Sequence, residues 1–231
     1  MLTLSTLFFY ARVVAGKLQR KPKGAYHHPD LECALVDAAL QTIRREGVEA
    51  LTLRDVAARL GVSRTALYRH FKDKSALLAR VALEGFRLFR QALQSAIDRA
   101  RSSGADPMEE MGVAYVAFAM TNQSHYKTMF GSAIGDWEQY PDLALEADGA
   151  FAVLLNTIVE EQRASRIVGG DPVPLAHVIW AGVHGLAMLE LAGCLDRNGG
   201  AKIDLTALVR LHSRILLDGL RRTGSTLRTK R

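Results

Sequence analysis

Residues 52–74 read TLRDVAARLGVSRTALYRHFKDK, and their side chains are of the types that meet a polyanion. A short helix starting at Ser63 would expose Ser63, Arg64, Thr65, Tyr68, Arg69 and His70, mostly polar donors on one side. That is the content a helix needs to read the major groove, where arginine makes a two-pronged contact to guanine. A second constellation, His177, Trp180 and His184, has spacings of three and four and so shares one helix face. Three readings of it stand open: core residues with satisfied ring nitrogens, the lining of a pocket for an aromatic or amphipathic ligand, or a metal site. The metal reading lacks a neighbouring carboxylate or cysteine set to complete a shell.

The elements that must position the first set are legible around it. Thr52 precedes a short helix carrying Val56, Ala57 and Leu60, and Thr52 with Asp55 forms a variant capping box with Asp in place of Glu or Gln. Gly61 supplies the left-handed backbone that ends this helix and turns the chain. Ala57 is small where two helices cross, and Val56, Leu60, Val62 and Leu67 supply apolar contacts between them. At about eight or nine residues neither helix is stable alone, so packing must fix their angle. Upstream, Leu35, Ala38, Ala39 and Ile43 form one apolar face before the stop at Glu46-Gly47. Downstream, Asp73 caps a long helix with Leu77, Leu78, Val81, Phe86 and Leu93 inside.

The second half repeats this pattern with longer helices. Asp106-Pro107 with Glu109 and Glu110 starts a helix that runs through Tyr115 and Phe118 to about Gln123. Pro141-Asp142 opens the next, ending near Arg166 before Gly169-Gly170. Asp171 to Pro174 opens a very apolar helix to Leu195. Asn198-Gly199-Gly200 makes a turn, and Asp204 caps a last helix ending at Arg221-Arg222. About nine helices, no sheet and no internal repeat give an all-α fold.

Composition narrows the function. The 231 residues are 48% apolar and 23% charged, too apolar for disorder. Two distant cysteines, Cys33 and Cys194, make neither a disulfide framework nor a zinc cluster, so a reducing cytoplasm is expected. Residues 1–24 and 219–231 each carry five basic side chains and no acid, whereas residues 81–218 hold eleven basic and seventeen acidic. A polyanion would therefore meet the N-terminal third rather than the body. Residues 1–11 are apolar, but no positive stretch precedes them and they fall short of the ~20 residues a membrane span needs. They read as a disordered or non-native leader, with a weak membrane anchor as the alternative.

Residues 31–80 resemble the N-terminal domain of the TetR family of transcriptional regulators, through Leu-Thr, Ala-Ala-x-Leu-Gly-Val-Ser and the ending Tyr68-x-His70-Phe71-x-x-Lys74. Ala25-Tyr26-His27-His28-Pro29-Asp30-Leu31 is similar to an arm seen in many members, with Pro29 standing where they have glycine. Trp180-x-x-x-His184-Gly185 resembles the Trp-His-Gly signature of one C-terminal subgroup, and His125-Tyr126-Lys127-x-Met129-Phe130 is similar to a stretch found there. The likeness spans roughly residues 25–222. It implies that Thr52 and Arg54 touch phosphate and a base, that Arg64 and Thr65 face base edges, and that Tyr68, His70 and Lys74 grip phosphates. Arg20, Lys21 and Lys23 would enter the minor groove. The implied organisation is a leader and basic arm (1–24), a helix-turn-helix DNA-binding domain (25–80, the motif at about 55–74), a helical effector-binding and dimerisation domain (81–222) and a basic tail (223–231).

Large apolar groups in the acidic half, Met108, Tyr115, Phe118, Met129, Trp137, Phe151 and Met188, would be core or cavity wall. Tyr115, Phe118, Trp137, Phe151, His177, Trp180 and His184 are the expected lining of an effector site. The apolar helices at about 172–195 and 204–222, with small Ala181, Gly182, Gly185 and Ala192, would let a partner helix approach in a homodimer. The expectation is a non-enzymatic, dimeric, ligand-responsive repressor of a palindromic operator, with no metal, no cofactor beyond a small-molecule effector and no membrane. Two alternatives are carried: an architectural protein binding DNA without sequence preference through its basic ends, and an enzyme using the His177–His184 face. No nucleophile–base pair, metal set or phosphate loop favours the second.

Overall fold

The computed structural model describes residues 31–195 and 204–226, with side chains as far as Arg221. The leader and arm with Arg20, Lys21 and Lys23, the approach at 25–30, the turn at 198–200 and the end of the tail lie outside the described residues. Among the described residues there is no strand. The helices are α1 Leu31–Glu46, α2 Leu53–Leu60, α3 Arg64–Tyr68, α4 Lys74–Ser103, α5 Pro107–Thr121, α6 Gln123–Met129, α7 Pro141–Arg163, α8 Pro172–Leu191 and α9 Leu205–Thr226, with a 3-10 turn at Trp137–Gln139 before α7.

Side-chain caps set most of the starts. Thr52 Oγ1 accepts the Asp55 N–H at 3.2 Å, but the capping box closes differently from the usual one: the Thr52 hydroxyl donates to Asp55 Oδ2 at 2.6 Å. Ser63 Oγ accepts the Ala66 N–H at 3.1 Å, and Asp73 Oδ1 accepts that of Ala76 at 2.7 Å. Asp106, Asp171 and Asp204 cap α5, α8 and α9 in the same way. Gly61 ends α2 at φ 67°, where a Cβ would be strained. Its N–H bonds Ala58 O at 3.1 Å while the Val62 N–H bonds Ala57 O at 3.0 Å, the paired bonds of a Schellman ending.

Helix ends depart from the sequence reading in four places. The helix from Pro107 stops at Thr121, and α6 follows as a separate helix. Asn122 gives α6 no side-chain cap, because its amide nitrogen bonds back to Phe118 O and Thr121 Oγ1. α7 stops at Arg163, with Ser165 at φ 56° and the Arg166 N–H closing onto Glu161 O at 3.0 Å. α8 stops at Leu191, before the left-handed Gly193, and α9 runs past Arg222 to Thr226.

The buried stripe of α4, including Leu77, Leu78, Val81, Phe86, Phe89, Leu93 and Ile97, is the spine of the packing. At 1.5 Å per residue α4 is about 45 Å long, and it packs against α5, α6 and α7. In the N-terminal segment Val56, Ala57, Val62, Leu67 and Phe71 are buried, as the crossing of two short helices requires, and Leu60 is half-buried. The acids at the start of α5 also hold α9: Arg210 Nη1 reaches Glu109 Oε1 at 2.7 Å and Glu110 Oε1 at 2.6 Å, and Arg221 reaches Asp106 at 3.1 Å.

α8 and α9 are unevenly covered. Only 17% of the most apolar window of α8, which by length and composition could cross a membrane, is buried. Val173, Val178, Met188 and Leu189 of α8 and Leu211 and Ile215 of α9 are exposed. Gly182, expected to receive a partner helix, instead receives α9 of its own chain: a Cβ there would lie 2.1 Å from His212 Nε2. Gly182→Ala should therefore cost about 1–3 kcal/mol by overpacking. In urea unfolding at fixed protein concentration, pairing it with His212→Ala should give a smaller loss than the two singles added. Additive losses would show that the two helices do not meet there.

Candidate nucleic-acid interface and ligand cavity

α3 is presented outward by what it buries. Leu67 is inside and Phe71 is buried just beyond the helix, so Arg64, Thr65, Tyr68, Arg69 and His70 are all exposed. Ser63 spends its hydroxyl on the cap of α3, and Thr52 does the same for α2, although both remain exposed. Arg54 is exposed with its Nε 3.7 Å from Asp55 Oδ1. Lys74 is the exception among the expected DNA contacts: its ammonium donates to the Glu49 carbonyl at 2.9 Å, tying α4 to the loop before α2. Sequence reasoning passed over Lys72, whose Nζ donates to Gln139 Oε1 at 3.3 Å and lies 5.7 Å from the Tyr140 ring centroid.

The body holds a cavity of about 480 Å³. Its walls come from α4, α5, the last residue of α6, α7, α8 and α9, from Phe130 and Gly131, and from Trp137 of the 3-10 turn. Tyr115, Trp137, Phe151, His177 and Trp180 line it as expected; Phe118 and His184 do not. Phe118 is buried against Phe89, with ring centroids 5.1 Å apart. His184 is drawn away by two tyrosines. Its Nδ1 lies 2.9 Å from the Tyr115 hydroxyl and 2.8 Å from that of Tyr126, the hydroxyls are 3.2 Å apart, and Trp180 Nε1 donates to Tyr115 at 3.0 Å.

With its proton on Nε2, the neutral His184 ring accepts at Nδ1 from a tyrosine hydroxyl. Burial supports that state by pulling its pKa below the ordinary value. Burial likewise pushes the Tyr115 hydroxyl up to about 12, and it raises Tyr126 too. His177 is occupied separately, with Nδ1 donating to Val173 O at 2.9 Å. Among the described residues no group of three or more His, Cys, Asp or Glu is placed to hold a metal ion.

The sequence reading missed Phe86 and Phe130 as walls, along with His212 and Ser213. Phe86 reads as an inward residue of α4, but six helices contribute to the void and nothing local says which side chains share it. Met108 and Met129 do line the cavity, whereas Met188 is exposed.

A helix capped by serine, aimed by a left-handed glycine and lined with exposed donors defines, with the helical body behind it, a helix-turn-helix DNA-binding regulator. Comparison with known proteins agrees at both ends of the chain. Residues 35–81 match the model "Bacterial regulatory proteins, tetR family", and residues 108–212 match "Tetracyclin repressor-like, C-terminal domain". The HTH-type transcriptional regulator Rv1816 of Mycobacterium tuberculosis is 24% identical over 194 residues, covering 71% of this chain and 81% of that protein. A solved structure of a protein of unknown function from Rhodococcus sp. RHA1 superposes with TM-score 0.73 at 28% identity, over 86% of this chain and all of that one. The fold is also that of the regulator FadR from Bacillus subtilis, solved in complex with stearoyl-CoA, with TM-score 0.65, 17% identity and coverage of 81% and 98%.

The chain belongs to the tetR family of bacterial transcriptional regulators, and it is a DNA-binding regulator of transcription. That family is not one of enzymes.

The network fixes the sign of one pH dependence. His184 and His212 both have pKa values lowered from 6.5 by burial, so near neutrality the unfolded chain binds protons more readily than the folded one. Their contribution to stability is full above pH 6.5 and falls as the pH drops below it. Urea midpoints measured from pH 7.5 to 5 should decline, with a shallower decline in His184→Gln. An equal decline in the variant would show that His184 titrates unperturbed.

Proposed function

We propose that the chain is a ligand-responsive repressor that binds a palindromic operator as a homodimer in the bacterial cytoplasm and lets go when its cavity fills. The observation that carries this reading is the path from cavity to head. Trp137 stands in the cavity wall, and Gln139 and Tyr140, two and three residues on, hold Lys72 at the end of the DNA-binding motif. A ligand that displaces Trp137 therefore acts on the segment whose Gln139 and Tyr140 side chains grip Lys72. The response is limited by the ligand's differential affinity for the two states. FadR of Bacillus subtilis, solved with stearoyl-CoA, supports a small-molecule effector for this architecture.

On the DNA, Arg64 and Thr65 read base edges while Tyr68, Arg69, His70, Arg54, Thr52 and Ser63 meet backbone or neighbouring bases. Lys74 serves the phosphates with the donors left over from Glu49. The exposed apolar residues of α8 and α9, with Leu211 at 54% and Ile215 at 64% exposure, favour a second copy as their cover. Two recognition helices would then enter successive major grooves about 34 Å apart. The test is selection of bound fragments from the source genome at ~150 mM salt, which suppresses non-specific binding. A palindrome with half-sites one turn apart is expected. Arg64→Ala should cost about 1–3 kcal/mol at one base pair per half-site. Enrichment of no sequence would overturn the reading in favour of sequence-independent binding.

A further inference from the structure

We propose that the cavity takes an uncharged, mainly aromatic molecule bearing one oxygen function, held by His212 and Ser213 of α9. This rests on the reading of the cavity as the effector site and names the chemistry of what enters it. The walls carry the rings of Phe86, Phe130, Trp137, Phe151 and Trp180, and T-shaped contacts such as Phe86 to Trp137 at 5.8 Å already order them. Aromatic walls favour a flat ligand that adds to this edge and face packing. A volume of 480 Å³ is room for roughly sixteen water-sized groups, enough for a skeleton of two or three rings.

Charge is decided by what the wall lacks. Among the described residues no lysine or arginine lines the cavity and the one carboxylate is the exposed Asp148, while burial keeps His212 toward its neutral form. A carboxylate or phosphate taken into this space would lose its water and gain no counter-charge.

The oxygen function follows from the unpaired polar groups. Trp180, Tyr115, Tyr126 and His184 satisfy one another in a closed chain, and His177 is committed to Val173 O. Two neighbours on α9 are left. Nδ1 of His212 is buried with no hydrogen-bond partner, and Ser213 is only 7% exposed with no hydrogen bond from its hydroxyl among the described residues. Both line the cavity. Gly112 of α5 faces Ser213, and a Cβ there would come to 3.1 Å from Oγ, so the glycine keeps the space around the hydroxyl open. Buried polar groups in native proteins have partners. A hydroxyl on the ligand accepts from Ser213, and it donates to His212 Nδ1 once the ring, whose Nδ1 is closed off in this conformation, turns toward the cavity. A carbonyl accepts from Ser213, and from His212 in its other tautomer.

Three probes on one skeleton test this in the full chain at pH 7.5: biphenyl, 4-phenylphenol and biphenyl-4-carboxylate. The chain has two tryptophans, Trp137 and Trp180, and both stand in the wall, so tryptophan fluorescence reports on the cavity wall. The phenol should bind about tenfold more tightly than the hydrocarbon and at least tenfold more tightly than the carboxylate. Ser213→Ala should remove about three- to tenfold of the phenol's advantage, the worth of a neutral hydrogen bond, and leave biphenyl binding unchanged; His212→Gln is the second variant. Equal binding of phenol and biphenyl, tighter binding of the carboxylate, or a preference that survives both variants would overturn the ligand class while leaving the cavity as an effector site. Failure of all three probes to bind would overturn both.

Discussion

α4 buries residues along most of its 30-residue length, from Leu77 to Ala100, so what packs against one end is held by the same helix as what packs against the other. Its first turns carry Arg80, paired with Glu32 of α1 at 2.7 Å, and Glu84, whose carboxyl the His125 ring of α6 holds below its usual range from 3.8 Å. Asp37 of α1 belongs to the same cluster, raised by burial and then by Glu84. A few residues further on, Phe86, Phe89 and Leu93 are cavity wall. The DNA-binding head and the cavity therefore share one helix, and a packed interior does not deform smoothly between them. In the proposed response, a ligand pressing on Phe86 and Phe89 tilts the helix that carries the charge cluster.

A second link runs beside the first. The segment after α6 puts Trp137 into the wall and then hands Gln139 and Tyr140 to Lys72, the residue before the Asp73 cap of α4. Both links reach the head at the same place, the start of α4, where Lys74 also ties down the loop before α2. The body is closed on its other side by the ion pairs of Arg210 and Arg221 with the first turn of α5. α9, which brings His212 and Ser213 to the cavity, is thereby tied to α5.

What could be read from the sequence was what local chemistry decides. Thr52, Ser63, Asp73, Asp106, Asp171 and Asp204 announce their helices because a cap needs only its own next turn, and Gly61 announces a left-handed end for the same reason. The exposed face of α3 followed once Leu67 was placed inside, whereas the burial of Phe71 just beyond it was not read. α6 was missed because its first residue follows an asparagine that turns back to the preceding helix. The cavity was half legible. Tyr115 and Phe118 lie three apart on one helix, yet one faces the void and the other is packed on Phe89. His184 shares a face with Trp180 but is claimed by Tyr126, a residue 58 positions away. Gly182 shows the same limit: its smallness was visible, but not that His212 of its own chain would occupy the space.

Under the proposed function the occupied cavity and the DNA-bound head are alternative states of one coupled body. The direct measurement is reciprocal linkage. The affinity of the tightest-binding biphenyl probe is taken from the fluorescence of Trp137 and Trp180, with and without saturating operator, and operator affinity is taken with and without saturating probe. Each ligand should weaken the other by the same factor, at least about fivefold, as thermodynamic coupling requires. Probe affinity unchanged by operator would contradict it and leave the cavity energetically separate from the DNA-binding head.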